Sequence, residues 1–127
     1  VLLLVGGVTS SEAPLHYAGK RLQEELVSAG PVPFTMLRDT QCHECAGMVV
    51  GWTSDGEVAV VPPARVQPVA VADVAEALAR GATGSPQGRA RDLAGPQPGD
   101  LWAMAGRVMA VGPGSHLALQ SHPKPAQ

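Results

Sequence analysis

An α/β domain built on a parallel sheet is the fold this sequence predicts, and three stretches predict it. Residues 1–5, V-L-L-L-V, form an unbroken apolar run of the kind found in a strand covered on both faces. A helical pattern follows, in which Leu22, Leu26 and Ala29 recur about one turn apart with Ala18 behind them. Phe34-Thr35-Met36-Leu37 then reads as a second short strand, set off by the turn at Gly30-Pro31. Strand, helix and strand in that order make a β-α-β unit, whose crossover is right-handed in nearly all folds.

Bulk properties narrow the class. At 127 residues the chain is one domain, or most of one, long enough to bury a core. Aromatic residues are only 3% of it, so Val, Leu, Ala and Met must fill that core. A formal net charge of −2 supplies no basic field for nucleic acid or an anionic membrane. The apolar opening is far too short to cross a bilayer and has no basic flank, so a cytoplasmic address is expected. A chain that opens inside a strand, without Met, is expected to be truncated at its front. Cys42 and Cys45 do not make the disulfide framework of a secreted domain.

The elements follow in order. After the first strand, Gly6-Gly7 and Thr9 to Glu12 make a polar loop, and Pro14 suits a first helical position because its missing N–H would have had no partner there. On the helix, Lys20 with Glu24 and Arg21 with Glu25 are spaced for ion pairs, and Gly30 is expected to stop it in a left-handed cap. Residues 45–52 suggest a weak helix, Asp55-Gly56 a turn, and residues 57–61 a strand ending at Pro62-Pro63. Residues 65–69 are extended. Asp73 is placed to cap a helix with Val74, Ala77 and Leu78 on its core face and Gly81 at its end. Residues 88–93 read as loop then strand, and Asp100 as the cap of a short helix through Leu101, Met104 and Val108. Trp52 and Trp102 are expected in a core or an interface. Residues 112–127 lack periodicity and are expected to form a flexible tail.

The stretch F-T-M-L-R-D-T-Q-C-H-E-C, residues 34–45, is where function is expected. A strand ending in a cluster of donors and acceptors matches the place where an open α/β sheet holds its ligand, beyond the carboxyl ends of its strands. Thr40, Gln41 and His43 offer a hydroxyl, an amide and an imidazole, which orient a polar ligand or else satisfy exposed strand ends. Arg38 is expected to face the same ligand or to pair with Asp39 or Asp73. Gln67, before Pro68, either lines the same pocket or only shapes the approach to the following helix. Cys42-His43-Glu44-Cys45 holds metal- and redox-competent groups, yet a structural zinc needs a second ligand pair and the chain has no further cysteine, so no metal is expected. Gly81-Ala82-Thr83-Gly84, with Gly88 after it, imitates a phosphate-binding loop but follows a helix instead of a strand.

Four segments in order give the chain a family resemblance: L-H-Y-A-G-K-R-L-Q-E-E at 15–25, F-T-M-L-R-D-T-Q-C-H-E at 34–44, R-V-Q-P-V-A-V-A-D-V-A-E-A-L at 65–78, and D-L-A-G-P at 92–96. With them the chain resembles the C-terminal part of an atypical short-chain dehydrogenase/reductase of the NmrA-like, NAD(P)-binding group of actinobacterial type. The resemblance implies a partial Rossmann-like, doubly wound sheet with flanking helices over residues 1–111, the front β-α-β half and its glycine-rich turn being absent. It implies NAD or NADP as cofactor and a small molecule as second ligand, with a second chain or a second copy covering the open sheet edge. The family's catalytic pattern is a Tyr followed four residues later by a Lys. Here Lys20 matches, but His16 stands four before it and Tyr17 three before it. The position of an assisting Ser falls within Leu2-Leu3-Leu4, which carries no hydroxyl. Tyr17, Lys20 and His16 are therefore the catalytic candidates, with Lys20, Thr40 and Gln41 toward the cofactor and His43 and Gln67 toward the substrate. In the family aromatic residues commonly hold both cysteine positions, which implies that Cys42 and Cys45 fill a pocket wall. Both an oxidoreductase and a non-catalytic, dinucleotide-sensing regulatory module remain open on these residues, as does a remnant that requires a partner chain.

Overall fold

The computed structural model describes residues 1–5 and 15–121, with the backbone alone at 4, 5 and 15–17. The protein is a mixed α/β structure with four helices and small, mainly parallel sheets among those residues. The Gly6-Gly7 loop, Pro14 and residues 122–127 lie outside the described residues. Two compact units divide the chain, one of residues 1–41 and 69–95, the other of residues 42–68 and 96–127.

The first unit realises the expected β-α-β unit. Strand β1 (Leu2–Val5) pairs in parallel with β2 (Thr35–Asp39), Leu2 opposite Met36 and Leu3 opposite Leu37. Helix α1 (Leu15–Ala29) joins them. Strand β5 (Gly88–Arg89) adds in parallel on the far side of β2, giving the order β1-β2-β5. A further parallel bridge joins Asp39 to Leu93, so the expected strand in residues 88–93 is two short pieces. Every residue of β2 is buried, as befits the centre of the sheet, and β2 runs two residues beyond the apolar stretch to take in Arg38 and Asp39.

Helix α1 turns a different face inward from the one its leucines mark. Leu22 and Leu26 are 53% and 65% exposed, whereas Lys20, Glu24 and Val27, spaced one turn apart, are half-buried. The physical reason is an ion pair: Glu24 does not take Lys20 but the Arg38 guanidinium of β2, through both carboxylate oxygens. Arg21 and Glu25 do pair, at 3.7 Å on the outer surface. At the helix end Gly30 donates its N–H to Val27 O at 3.3 Å without a left-handed backbone, since Gly56 and Gly88 alone have positive φ among the described residues.

Helix α3 (Val71–Thr83) begins and ends elsewhere than its sequence signals. Ala70 O accepts from both Asp73 N–H (3.1 Å) and Val74 N–H (3.2 Å), so the helix starts before Asp73, whose carboxylate makes no capping bond. Asp73 still lies in the first turn, where negative charge complements the helix dipole. Gly81 is inside the helix. A Cβ there would meet Thr35 Cγ2 at 3.4 Å and Val1 Cγ2 at 3.6 Å, ordinary contact distances, so α3 packs on the sheet at this position instead of ending there.

The second unit holds α2 (Cys45–Thr53), β3 (Val58–Val60), β4 (Arg65–Val66), β6 (Gly99–Asp100), α4 (Leu101–Val111) and β7 (Ala118–Gln120). Asp55 Oδ1 accepts from the N–H groups of Glu57 and Val58 and Gly56 takes φ +97°, which forms the expected turn before β3. Asp100 caps α4 through Ala103 N–H, as its position predicts. Val50, Ala59, Val61, Ala105 and Met109 form its main core cluster. The expected tail is corrected in part: β7 pairs in parallel with β3, Val58 opposite Ala118, so residues 118–120 satisfy backbone groups along one edge of β3. Trp52 is 74% exposed and Trp102 39% exposed, so neither is core.

Candidate functional site

The carboxyl end of β2 is where the first unit concentrates its polar groups. Parallel strands leave their last carbonyl and amide groups without ladder partners, and here the chain meets them itself. Leu93 N–H donates to Arg38 O at 2.7 Å, Thr40 N–H to Leu93 O at 3.0 Å, and Val69 N–H to Gln41 O at 3.0 Å. These backbone bonds hold residues 38–41 between two returning segments. The side chains of Thr40 and Gln41 are thereby set on an ordered edge, Thr40 half-buried and Gln41 exposed.

Two buried ionisable residues, Arg38 and Asp39, underlie that edge. Arg38 is held protonated chiefly by its hydrogen bonds to Glu24, with the Glu24 and Asp92 charges adding to this and burial opposing it. The Asp39 carboxyl is pushed above the ordinary carboxylate range by burial, with a backbone hydrogen bond working the other way. The expected pairing of Arg38 with Asp39 or Asp73 is replaced by Glu24, because α1 returns across the sheet and presents Glu24 to it. The available signal was the run of two charged residues directly after an apolar strand.

Lys20 stands one turn before Glu24 on the same side of α1. Since α1 runs back against the parallel strands, that turn is nearer their carboxyl ends. Lys20 is half-buried. His16 and Tyr17 belong to the first turn of α1, and their side chains lie outside the described residues. Lys20, Thr40 and Gln41 thus share the first unit, whereas His43 and Gln67, both exposed, belong to the second.

The phosphate-loop imitation is set aside by its position. Residues 81–83 form the last turn of α3, and Gly84 N–H closes it on Arg80 O at 3.0 Å. A helix C-terminus presents carbonyl oxygens and repels an anion. Among the described residues, no group of three or more His, Cys, Asp or Glu is placed to hold a metal ion. No described helix is long and apolar enough to cross a membrane. No family model, curated protein or solved structure matches this chain.

Proposed function

We propose that this chain is the pocket-side portion of an NAD(P)-binding, oxidoreductase-like protein resembling the atypical short-chain dehydrogenase/reductases, with Lys20, Thr40 and Gln41 toward the nicotinamide end. The observation that carries the reading is the sheet order. Strands β1, β2 and β5 are parallel, adjacent and in chain order, as are strands 4, 5 and 6 of a doubly wound sheet ordered 3-2-1-4-5-6. Ligands of such sheets bind beyond the carboxyl ends, where Thr40 and Gln41 stand.

The residues fit one end of the cofactor. Lys20 supplies donors for a ribose hydroxyl, Thr40 donates and accepts, and the Gln41 amide matches a carboxamide. In this reading they are not ligands of the pyrophosphate, which a glycine-rich turn ahead of a helix N-terminus would hold. The nicotinamide end is the part of the cofactor that these residues hold in this reading. Bound there, the dinucleotide would supply hydride chemistry, and the chain's own residues would orient its ribose and amide. The absence of a hydroxyl in Leu2-Leu3-Leu4, with Tyr17 three and not four residues before Lys20, favours a second reading: a regulatory module that binds the dinucleotide without turnover.

Titration of NADH and NADPH fluorescence against the chain tests both readings. Saturable binding that weakens by about tenfold in Lys20→Ala, a loss of one charge-assisted hydrogen bond, is the expected result. Binding unaffected by Lys20→Ala, Thr40→Ala and Gln41→Ala would overturn the assignment of the site. NADPH consumption with aldehyde or quinone substrates separates the oxidoreductase from the regulatory module.

A further inference from the structure

We propose that Cys42 and Cys45 form a dithiol–disulfide exchange site that takes small disulfides as its substrate. The two thiols flank a tight turn: Cys45 N–H donates to Cys42 O at 3.1 Å, and Ala46 N–H follows to His43 O at 3.4 Å as α2 begins. A four-residue turn closed in this way keeps its end Cα atoms less than about 7 Å apart. A disulfide needs about 4.4–6.8 Å between them, so the folded backbone already holds the separation that the bond requires.

Access and competition point the same way. Both cysteines are half-buried and the intervening His43 and Glu44 are exposed, which puts the turn at the surface. Neither cysteine is in a disulfide. A C-x-x-C pair outside a disulfide framework is characteristically redox-active.

The step balances with a low-molecular-weight disulfide, RSSR, as oxidant. One protein thiol, as its thiolate, attacks a sulfur of RSSR; a protein–SR bond forms, the RS–SR bond breaks, and RS⁻ leaves with a proton as RSH. The second thiol gives up its proton and attacks the protein-side sulfur, closing the Cys42–Cys45 bond and expelling a second RSH. The protein loses two electrons and two protons, and RSSR gains both.

Incubation of the whole chain with reduced and oxidised glutathione at graded ratios, quenching with iodoacetamide and intact mass measurement test this. Both thiols are expected to escape alkylation together, with a mass lower by two hydrogens, reversibly on adding dithiothreitol. Closure should be about tenfold or more favourable in the folded chain than in urea, because only the folded turn holds the separation. Cys42→Ser and Cys45→Ser should each stop at a protein–glutathione adduct. Equal closure in folded and unfolded chain, unresolved glutathione adducts in the unsubstituted protein, or cross-linked dimers in place of the internal bond would each overturn the proposal. The comparison in urea needs no variant, so misfolding of either substitution does not obscure the result.

Discussion

Glu24 of α1 grips Arg38 of β2 through both carboxylate oxygens, although 14 residues separate them in sequence. Their side chains are only 13% and 7% exposed. The pair fixes the rotation of α1 on the sheet: it draws the Lys20, Glu24 and Val27 stripe inward and leaves Leu22 and Leu26 facing out. Bidentate geometry orients both groups, so the pair specifies a register as well as adding an attraction.

Removing one partner strands the other. Glu24→Gln is expected to lower stability by about 2 kcal/mol, the range for a hydrogen bond to a charged group in a partly dry setting. Glu25→Gln, which breaks only the exposed pair with Arg21, should change it by no more than about 0.5 kcal/mol. The double substitution Glu24→Leu with Arg38→Leu should recover much of the loss, since no charge is then left buried. Urea unfolding of the four proteins measures all three differences, and equal losses for Glu24→Gln and Glu25→Gln would contradict the account of α1.

Asp39 and Asp55 should respond to pH in opposite directions. Burial raises the Asp39 pKa, so between the ordinary carboxylate value of about 3.9 and its raised value the folded chain holds more proton than the unfolded one. Its contribution to stability therefore falls as pH rises through that window. Asp39→Asn should gain on the unsubstituted protein as pH increases. Asp55 is the reverse case: hydrogen bonds from the Glu57 and Val58 N–H groups lower its pKa. Its contribution is present above the ordinary value and is lost as pH falls through the lowered one. The deficit of Asp55→Ala should therefore shrink in acid. Unfolding midpoints from about pH 3 to pH 7 read both trends; parallel curves for either variant and the unsubstituted chain would contradict the assignment.

Glycines in and just after the helices of the second unit should separate by their surroundings. Gly51 lies within α2 and a Cβ there meets nothing within 4 Å. Gly51→Ala is expected to stabilise the chain by about 0.5–1 kcal/mol through helix propensity. Gly112 follows α4, and a Cβ there would come within 2.9 Å of Val108 O. Gly112→Ala should destabilise by about 1 kcal/mol or more, the cost of shifting backbone at a helix end. Thermal unfolding followed by circular dichroism tests the opposite signs.

The amino-acid sequence by itself determined the local elements. The apolar runs at 1–5 and 34–37 are strands, the periodic stretch between them is a helix, and the Asp55-Gly56 turn and the Asp100 cap stand where their residues place them. Those features depend on φ preferences, side-chain period and hydrogen bonds within a few residues, all of which a linear pattern carries. Tertiary structure decided the rest. Gly81 looked like a stop and lies inside α3, packed beside Thr35 and Val1; Leu22 and Leu26 looked like a core face and are exposed; residues 118–120 looked patternless and became a partner of β3. At the candidate site, the donors and acceptors at Thr40 and Gln41 could be read directly, but the buried state of Arg38 and Asp39 could not. Whether a charge is buried depends on what packs over it, and Glu24 reaches Arg38 only once a helix has folded back across the sheet.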